Sequence, residues 1–153
     1  MTCSTIMHAA PITVTENVTV GETVKIMAEK RFRSIPVVDG EGKMLGQFGV
    51  SNLLKLAIPV SASTRGGMRS ADFMNDSIVD LQRRLADDWN KPVSDYCDND
   101  TQTLAPDDSL TRTVMCIADG KQDNIPVVDP ASNRLVGIIS YWDVLDHLLN
   151  DIK

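Results

Sequence analysis

Residues that bind metals or form disulfides are scarce in this chain. It has two histidines, His8 and His147, and neither has a partner at the spacing of metal ligands. The three cysteines, Cys3, Cys97 and Cys116, are odd in number and include no CxxC pair. The spacing therefore argues against a zinc knuckle or a redox pair, and it favours reduced thiols in a cytoplasmic protein.

Positive charge and long apolar runs are also lacking. Fifteen Lys and Arg residues stand against 21 Asp and Glu, which gives a net charge of −6 and a pI of about 4.8. Such a chain has no general basic field for nucleic acid. No stretch approaches the roughly 18 consecutive apolar residues of a membrane helix. The start, MTCSTIMHAAPITV, lacks the charged and apolar regions of a signal peptide. We therefore expect neither a nucleic-acid nor a membrane partner.

Motifs of common catalytic sites are absent as well. The sequence contains no GxSxG, no P-loop and no HExxH. No pair of acidic and basic groups stands out as a catalytic pair. We expect a protein that is not an enzyme.

An internal repeat is the main feature that the sequence does contain. The residues Ile-Pro-Val-Val-Asp occur at 35–39 and again at 125–129. Residues 13–39 align with 103–129 without a gap and are identical at nine of 27 positions. A gap of one residue then places Gly46 over Gly137. An ungapped match of this length indicates that one folding unit has been duplicated.

Each copy predicts the same order of elements. A short strand precedes an amphipathic helix, which Thr19 or Ser109 caps; the pentapeptide strand, a turn, a returning strand and a final helix follow. We therefore predict an α+β fold of two β-α-β-β-α repeats about a pseudo-twofold axis, with two related clefts at the seam. The predicted strands are 12–15, 35–38, 44–50, 102–104, 125–128 and 135–139, and the final helices are 52–57 and 142–150.

The pattern of hydrophobic-Pro-Val-Val-Asp, a turn, and Gly-hydrophobic-hydrophobic-Ser-x-x-Asp resembles the CBS (cystathionine-β-synthase) domain. The resemblance covers about two thirds of the chain, and two such domains in tandem form a Bateman module. It implies a regulatory module that binds an adenosine-containing ligand such as AMP, ADP, ATP or S-adenosylmethionine, with or without Mg²⁺. It further implies a homodimer that acts on a regulated partner protein; the alternative is a dimerisation or protein-interaction module with no physiological nucleotide.

The second copy fits the expected ligand site more closely than the first. Ser140 offers a hydroxyl to a phosphate or ribose oxygen, and the Asp143 carboxylate can accept both hydroxyls of a ribose diol. The same Ser-x-x-Asp spacing is a helix capping box, so a purely structural role stays open. Ile125, Pro126, Val127 and Ile139 are expected to line an adenine slot, Asn124 to read the adenine edge, and Gly137 and Thr103 to complete the site.

The first copy departs from this pattern. Gly49 aligns with Ser140, and Asn52 aligns with Asp143. Loss of one charge-assisted hydrogen bond costs about 1.5–3 kcal/mol, or about 10- to 100-fold in affinity. The sequence therefore predicts one competent site in the second copy and a weak or empty site in the first.

Two basic residues occupy equivalent positions before the pentapeptides, Arg31 and Lys121. The resemblance implies that they reach the phosphates of a ligand across the pseudo-twofold axis. A solvated helix end, where cations also favour the helix dipole, is the alternative.

Residues 58–92 belong to neither copy, so the predicted division is repeat 1 at 1–57, an insert at 58–92 and repeat 2 at 93–153. Residues 59–70 are predicted to form a loop; its Arg65 and Arg69 either fold over a phosphate or remain in solvent. Residues 75–90 predict a helix that packs within the chain or at a dimer interface. Its N-cap is Ser77, and its apolar stripe comprises Ile78, Leu81, Leu85 and Trp89.

Overall fold

The computed structural model describes residues 1–58, 76–150 and 152. The predicted loop at 59–70 lies outside these residues. The first half contains a three-stranded sheet and the second half a two-stranded sheet. The elements are α1 (Cys3–Ile6), β1 (Val14–Thr15), α2 (Val20–Lys30), β2 (Ser34–Val38), β3 (Met44–Gly49), α3 (Val50–Leu56), α4 (Ile78–Asp87), a 3-10 helix (Val93–Asp95), α5 (Leu110–Ala118), β4 (Asn124–Val128), β5 (Leu135–Ser140) and α6 (Tyr141–Leu149).

The two halves repeat the same strand pairing. β2 pairs antiparallel with β3, and β4 with β5, and each hairpin shifts register before the last valine of its pentapeptide. β1 runs parallel to β2, and an isolated parallel bridge from Leu104 to Val127 takes its place in the second half. The predicted α+β fold of two β-α-β-β-α repeats is confirmed.

The capped helices α2 and α5 form as their sequences predict. The Thr19 hydroxyl accepts the Glu22 amide at 3.1 Å, and Ser109 accepts the Arg112 amide at the same distance. One turn on, the hydroxyls of Thr23 and Thr113 donate to the carbonyls of these capping residues. Both threonines are fully buried, and this bond satisfies a polar group that would otherwise be costly there.

The repeated pentapeptide forms a buried strand and begins a turn in each half. Ile35, Val37, Ile125 and Val127 are fully buried and belong to two separate cores. The following aspartate closes the turn: the Asp39 carboxylate accepts the amides of residues 41 and 43 at 2.8 and 2.9 Å. These hydrogen bonds hold the pKa of Asp39 below its ordinary value. Each half of the chain therefore needs a buried strand followed by a turn that an aspartate closes.

The pseudo-twofold axis lies between pairs of equivalent residues. At one end Lys43 bridges Arg134 in antiparallel fashion. At the other end the Ser34 hydroxyl donates to Asn124 Oδ1 at 3.2 Å, exactly 90 positions away in sequence. These contacts place the two hairpins side by side. The seam between the repeats therefore consists of residues at equivalent positions in the two copies.

The segment that leads into each repeat packs on the other repeat. α1 contributes Cys3 and Ile6 to the second core, whereas Val93 is fully buried in the first core. Two isolated antiparallel bridges extend the exchange, His8 to Ile138 and Asp98 to Gln47. Each sheet is therefore completed by the lead-in segment of the opposite repeat.

The insert helix α4 begins after Ser77, as predicted, and packs against the first repeat. The indole of Trp89 lies over Gly21, where any Cβ would meet the ring. The backbone amides of Val20 and Gly21 donate to the carbonyls of Lys91 and Trp89, both at 2.9 Å. Ile78, the first residue of the predicted apolar stripe, remains 68% exposed. The insert is thus bound within the chain through its C-terminal end.

A hydrogen-bonded ion pair fixes the end of the insert. The Asp88 carboxylate accepts the Lys91 ammonium at 2.9 Å and the Tyr96 hydroxyl at 2.8 Å. The bond from Lys91 is the main reason that the pKa of Asp88 lies below its ordinary value.

None of the helices in the described part of the chain has the length and apolar character needed to cross a membrane.

We expect Gly46→Ala to destabilise the fold because the lead-in segment runs directly above this glycine. A Cβ there would meet the Asp98 carbonyl and, at 3.0 Å, the Cys97 sulfur. Overpacking of this kind lowers the free energy of unfolding by about 1–3 kcal/mol. Urea denaturation gives the measurement, and Gly40→Ala is the matched control because nothing lies within 4 Å of its Cβ. Equal stabilities of the two variants would contradict the described exchange.

Candidate functional site

A cavity of about 680 Å³ opens at the seam between the repeats. Its first wall is the junction of β3 and α3, from Gly49 to Asn52, together with Arg33 and Ser34. The opposite wall comprises residues 98 and 100–102 of the crossing lead-in segment and 120–123, which precede β4. The volume lies within the roughly 300–1,000 Å³ typical of small-molecule sites. We call this cavity the seam cavity, and it lies in the predicted cleft of the first repeat.

The floor of the seam cavity is a network of side-chain amides. Gln47 donates from Nε2 to Asn124 Oδ1 at 2.5 Å and accepts Gln122 Nε2 at 3.1 Å. Gln122 in turn accepts the backbone amide of Gln102 at 2.7 Å. Gln47 is 6% exposed, so its amide is held in one orientation by partners rather than by water.

Gln47, Gln102 and Gln122 were not among the site residues predicted from the sequence. The repeat alignment carried a usable signal, because Ile138 and Phe32 stand at the positions equivalent to Gln47 and Gln122. A polar residue in one copy that is apolar in the other marks a place where the two copies have diverged. The alignment gives no indication that these amides bond to one another across the seam.

Asn52 lines the seam cavity, but both ends of its amide are occupied. Oδ1 accepts the Gly49 backbone amide at 2.8 Å, and Nδ2 donates to the Tyr96 carbonyl at 3.2 Å. Asn52 is 8% exposed. An aspartate could not donate to Tyr96, which gives a physical reason for asparagine at the position equivalent to Asp143.

Charged side chains surround the mouth of the seam cavity. Arg33 Nε lies 3.1 Å from Asp123 Oδ2, and Lys121 Nζ lies 3.5 Å from Asp119 Oδ2. Arg33 and Asp123 are themselves equivalent by the repeat, so this ion pair spans the seam. The predicted phosphate contact Lys121 thus reaches the cavity, but it has an acidic neighbour.

Ser140 and Asp143 lie where β5 meets α6, a place that is equivalent to Gly49–Asn52 and is called the second cleft below, and they form the capping box that the spacing allows. Asp143 Oδ2 accepts the Ser140 amide at 2.8 Å and its hydroxyl at 3.0 Å, while Ser140 Oγ accepts the Asp143 amide at 3.3 Å. In the described part of the chain, Asp143 Oδ1 accepts no hydrogen bond. The capping role is therefore present, and one carboxylate oxygen remains for a ligand.

Of the other predicted ligand residues, Asn124 and Ile139 lie beside Ser140, because Asn124 pairs with Ser140 across the hairpin and Ile139 precedes it in β5. The four residues predicted to line an adenine slot are buried, and their contact with a ligand stays a prediction: Ile125, Pro126, Val127 and Ile139. Gly137 is covered as well, since a Cβ there would lie 2.5 Å from the Met7 sulfur. Asn124 bonds under the seam cavity, Thr103 is exposed, and Arg31 is exposed at the left-handed end of α2.

The predicted residues therefore divide between two clefts. Asn52, Lys121 and Asn124 lie in or beneath the first cleft, where the cavity is, and Ser140 and Asp143 cap a helix in the second. The ranking of the second cleft as the competent one stays a prediction. Among the described residues no group of three or more His, Cys, Asp or Glu side chains is arranged to hold a metal ion.

Comparison with known proteins matches the CBS domain model to residues 3–58 and 93–150. The γ subunit of 5′-AMP-activated protein kinase from Dictyostelium discoideum is 23% identical over 146 residues, which are 95% of this chain and 23% of that protein. The chain spans 27% or less of the first curated relatives that it matches. These matches leave most of each relative without a counterpart here.

Two solved structures share the fold over nearly their whole length. CBSX2 from Arabidopsis thaliana in complex with AMP superposes with a TM-score of 0.73 at 19% identity, covering 99% of this chain and 98% of that one. The CBS domain pair of protein MJ0100, in complex with 5′-methylthioadenosine and S-adenosyl-L-methionine, gives a TM-score of 0.65 at 20% identity, covering 100% and 98%.

We expect Asn52→Asp to lower the free energy of unfolding by about 1–3 kcal/mol at pH 7, because a buried carboxylate would face the Tyr96 carbonyl. Burial would raise the pKa of the new carboxyl group above its unfolded value. Its protonated form can donate to that carbonyl, so the deficit should shrink as the pH falls below the folded-state pKa. Urea denaturation at pH 7 and pH 5 measures both effects.

Asp143→Asn is the matched control for Asn52→Asp. Its remaining carbonyl oxygen can accept both bonds that Ser140 donates, so we expect a smaller loss of stability than in Asn52→Asp. If Asn52→Asp were as stable as the wild-type protein at pH 7, the bond to Tyr96 could not be the reason for asparagine.

Proposed function

Because the chain belongs to the CBS-domain family and carries two copies of the domain, we propose that it is a regulatory module that binds an adenosine-containing metabolite in the seam cavity. The observation that carries the proposal is the cavity itself, since both repeats and a crossing lead-in segment line it. The AMP complex of CBSX2 and the S-adenosyl-L-methionine complex of MJ0100 support the class of ligand.

The chemistry of the seam cavity suits a ligand with a hydrogen-bonding edge. The side-chain amides of Gln47 and Gln122 present donors and acceptors, and their bonds to one another, to Asn124 and to the Gln102 backbone orient them before a ligand arrives. An adenine ring carries both a donor and acceptors along its edge, so it can add to such a network. Fixed donors and acceptors bind with less loss of conformational entropy than mobile ones.

A ligand that occupies the seam contacts both repeats at once. Its binding energy therefore depends on the relative position of the repeats, and it favours whichever position closes the cavity. This is how a module without chemistry of its own would report a metabolite to a partner protein or a second copy.

We expect one or more adenosine compounds to raise the thermal midpoint of the protein. A ligand at 100 times its Kd stabilises the fold by about 2.7 kcal/mol. The screen comprises adenosine, AMP, ATP, 5′-methylthioadenosine and S-adenosyl-L-methionine, and calorimetric titration follows each hit. Ser51→Trp places a large side chain in the seam cavity and should weaken binding about tenfold or more.

Asp143→Asn controls for the second cleft, because it preserves the helix cap and removes the carboxylate there. It should bind the ligand as the wild-type protein does. Loss of binding in Asp143→Asn with normal binding in Ser51→Trp would instead locate the ligand at the second cleft. No stabilisation by any compound would contradict the sensor and favour an interaction module.

Exposed apolar side chains on the final helices support a role in protein interaction. Helix α6 presents four large apolar side chains at its surface: Trp142 (66% exposed), Leu145 (38%), Leu148 (52%) and Leu149 (46%). Leu54 occupies on α3 the position equivalent to Leu145 and is 59% exposed. Since related apolar faces recur on both final helices, we propose that a second copy of the chain covers them in a symmetric homodimer.

Leu148→Glu should therefore convert a dimer into a monomer, because burial of a carboxylate in an apolar interface is costly. Analytical ultracentrifugation of the wild-type and variant proteins measures the change. Ile78→Glu is the matched control, since Ile78 is equally apolar and 68% exposed but lies on α4. A monomeric wild-type protein, or equal dissociation of both variants, would contradict this interface.

A further inference from the structure

Acidic groups outnumber basic ones along the walls of the seam cavity. Three carboxylates, Asp98, Asp100 and Asp123, stand against two cations, Arg33 and Lys121. Three negative charges and two positive charges leave the lining with a formal charge of −1. This balance follows the acidic character of the whole chain, but here it acts at the proposed ligand site.

Both of these cations have an acidic partner. Asp123 lies against Arg33, and Asp119 lies against Lys121, with N–O distances of 3.1 and 3.5 Å. In contrast, Asp98 and Asp100 have no cation within ion-pair distance among residues 1–58, 76–150 and 152. A phosphate entering the cavity would meet two carboxylates and would have to share the Arg33 guanidinium with a third, Asp123.

The position of Asp98 is fixed by the fold. Its backbone amide donates to the Gln47 carbonyl at 2.8 Å, and its carbonyl accepts the Gln47 amide at 3.1 Å. Gln47 also forms the amide floor, so Asp98 is attached to the element that would orient the ligand. A loop movement that carried Asp98 away from a bound anion would have to break both backbone hydrogen bonds.

We propose that the seam cavity selects adenosine compounds that carry no net negative charge, such as nucleosides, their thioethers and sulfonium derivatives, over nucleotides. The selection rests on the proposed adenosine-binding function of the same cavity. Asp98 and Asp100 repel the phosphate groups, and Asp123 offsets the positive charge of Arg33. A sulfonium or ammonium group gains from the same field that opposes a phosphate.

The preference of the seam cavity for adenosine over AMP should depend on the salt concentration. Asp98 and Asp100 are exposed, so their field acts partly through water. The screening length shortens from about 30 Å at 0.01 M salt to about 3 Å at 1 M. The adenosine-to-AMP affinity ratio should therefore fall as salt is added. If the phosphate were excluded only by steric clash, the ratio would not change with salt.

Calorimetric titration of the full chain with adenosine, S-adenosyl-L-methionine, AMP and ATP tests the proposal at low and high salt. At low salt we expect adenosine and S-adenosyl-L-methionine to bind about tenfold or more tightly than AMP, and ATP to bind most weakly. In the double variant Asp98→Asn/Asp100→Asn the adenosine-to-AMP affinity ratio should fall about three- to tenfold. Asp123→Asn should lower the ratio further by releasing Arg33.

Asp107→Asn is the matched control because it removes an exposed carboxylate outside the cavity lining. It should leave the adenosine-to-AMP ratio unchanged. Charge selection is overturned if AMP binds the wild-type protein as tightly as adenosine, or if the double variant keeps the wild-type ratio. Absence of binding by all four compounds overturns the proposed function itself, which separates the two failures.

Discussion

The exchange of lead-in segments between the two repeats is the constraint on which the other features depend. Two glycines permit it, Gly46 beneath the segment at Asp98 and Gly137 beneath Met7. With the exchange in place, the core of each repeat includes residues from both. The same crossing brings residues 98 and 100–102 to the wall of the seam cavity. Core and candidate site are therefore built by one topological feature.

At one end of the seam, the two copies carry different residues at equivalent positions that meet. Arg33 and Asp123 are equivalent by the repeat, and their opposite charges allow them to pair across the seam. Ser34 and Asn124 are likewise equivalent and form a donor–acceptor pair. Identical residues at such positions would place like groups opposite each other, at least for the charged pair. Divergence between the copies has thus produced contacts that an exactly symmetric protein could not make.

The fold was accessible from the sequence because its determinants are local and occur twice. Alternating apolar positions, the caps at Thr19 and Ser109 and the aspartate turns all act within a few residues. Agreement between two copies removes most of the ambiguity that a single stretch would leave. The order of elements, and even the N-cap of the insert helix at Ser77, could be predicted in this way.

The site was less accessible because its determinants are distant in sequence. Gln47 and Asn124 lie 77 positions apart, and nothing in either local sequence shows that they bond. The pattern at Ser140 and Asp143 is local, and it forms a helix cap, so the pattern alone does not distinguish a cap from a ligand site. The residues predicted to line an apolar slot are buried in β4 and β5, and their contact with a ligand stays a prediction. Burial on both faces of a strand gives no sequence signal for which face a ligand would reach.

The crossed lead-in segments also bear on how such a chain could have arisen. A single repeat would lack the element that completes its own sheet, since that element is supplied by the opposite repeat. A one-repeat ancestor would have had to obtain it from another molecule, and its folding would then have depended on protein concentration. Joining two copies in one chain makes the exchange intramolecular, so dilution no longer opposes it.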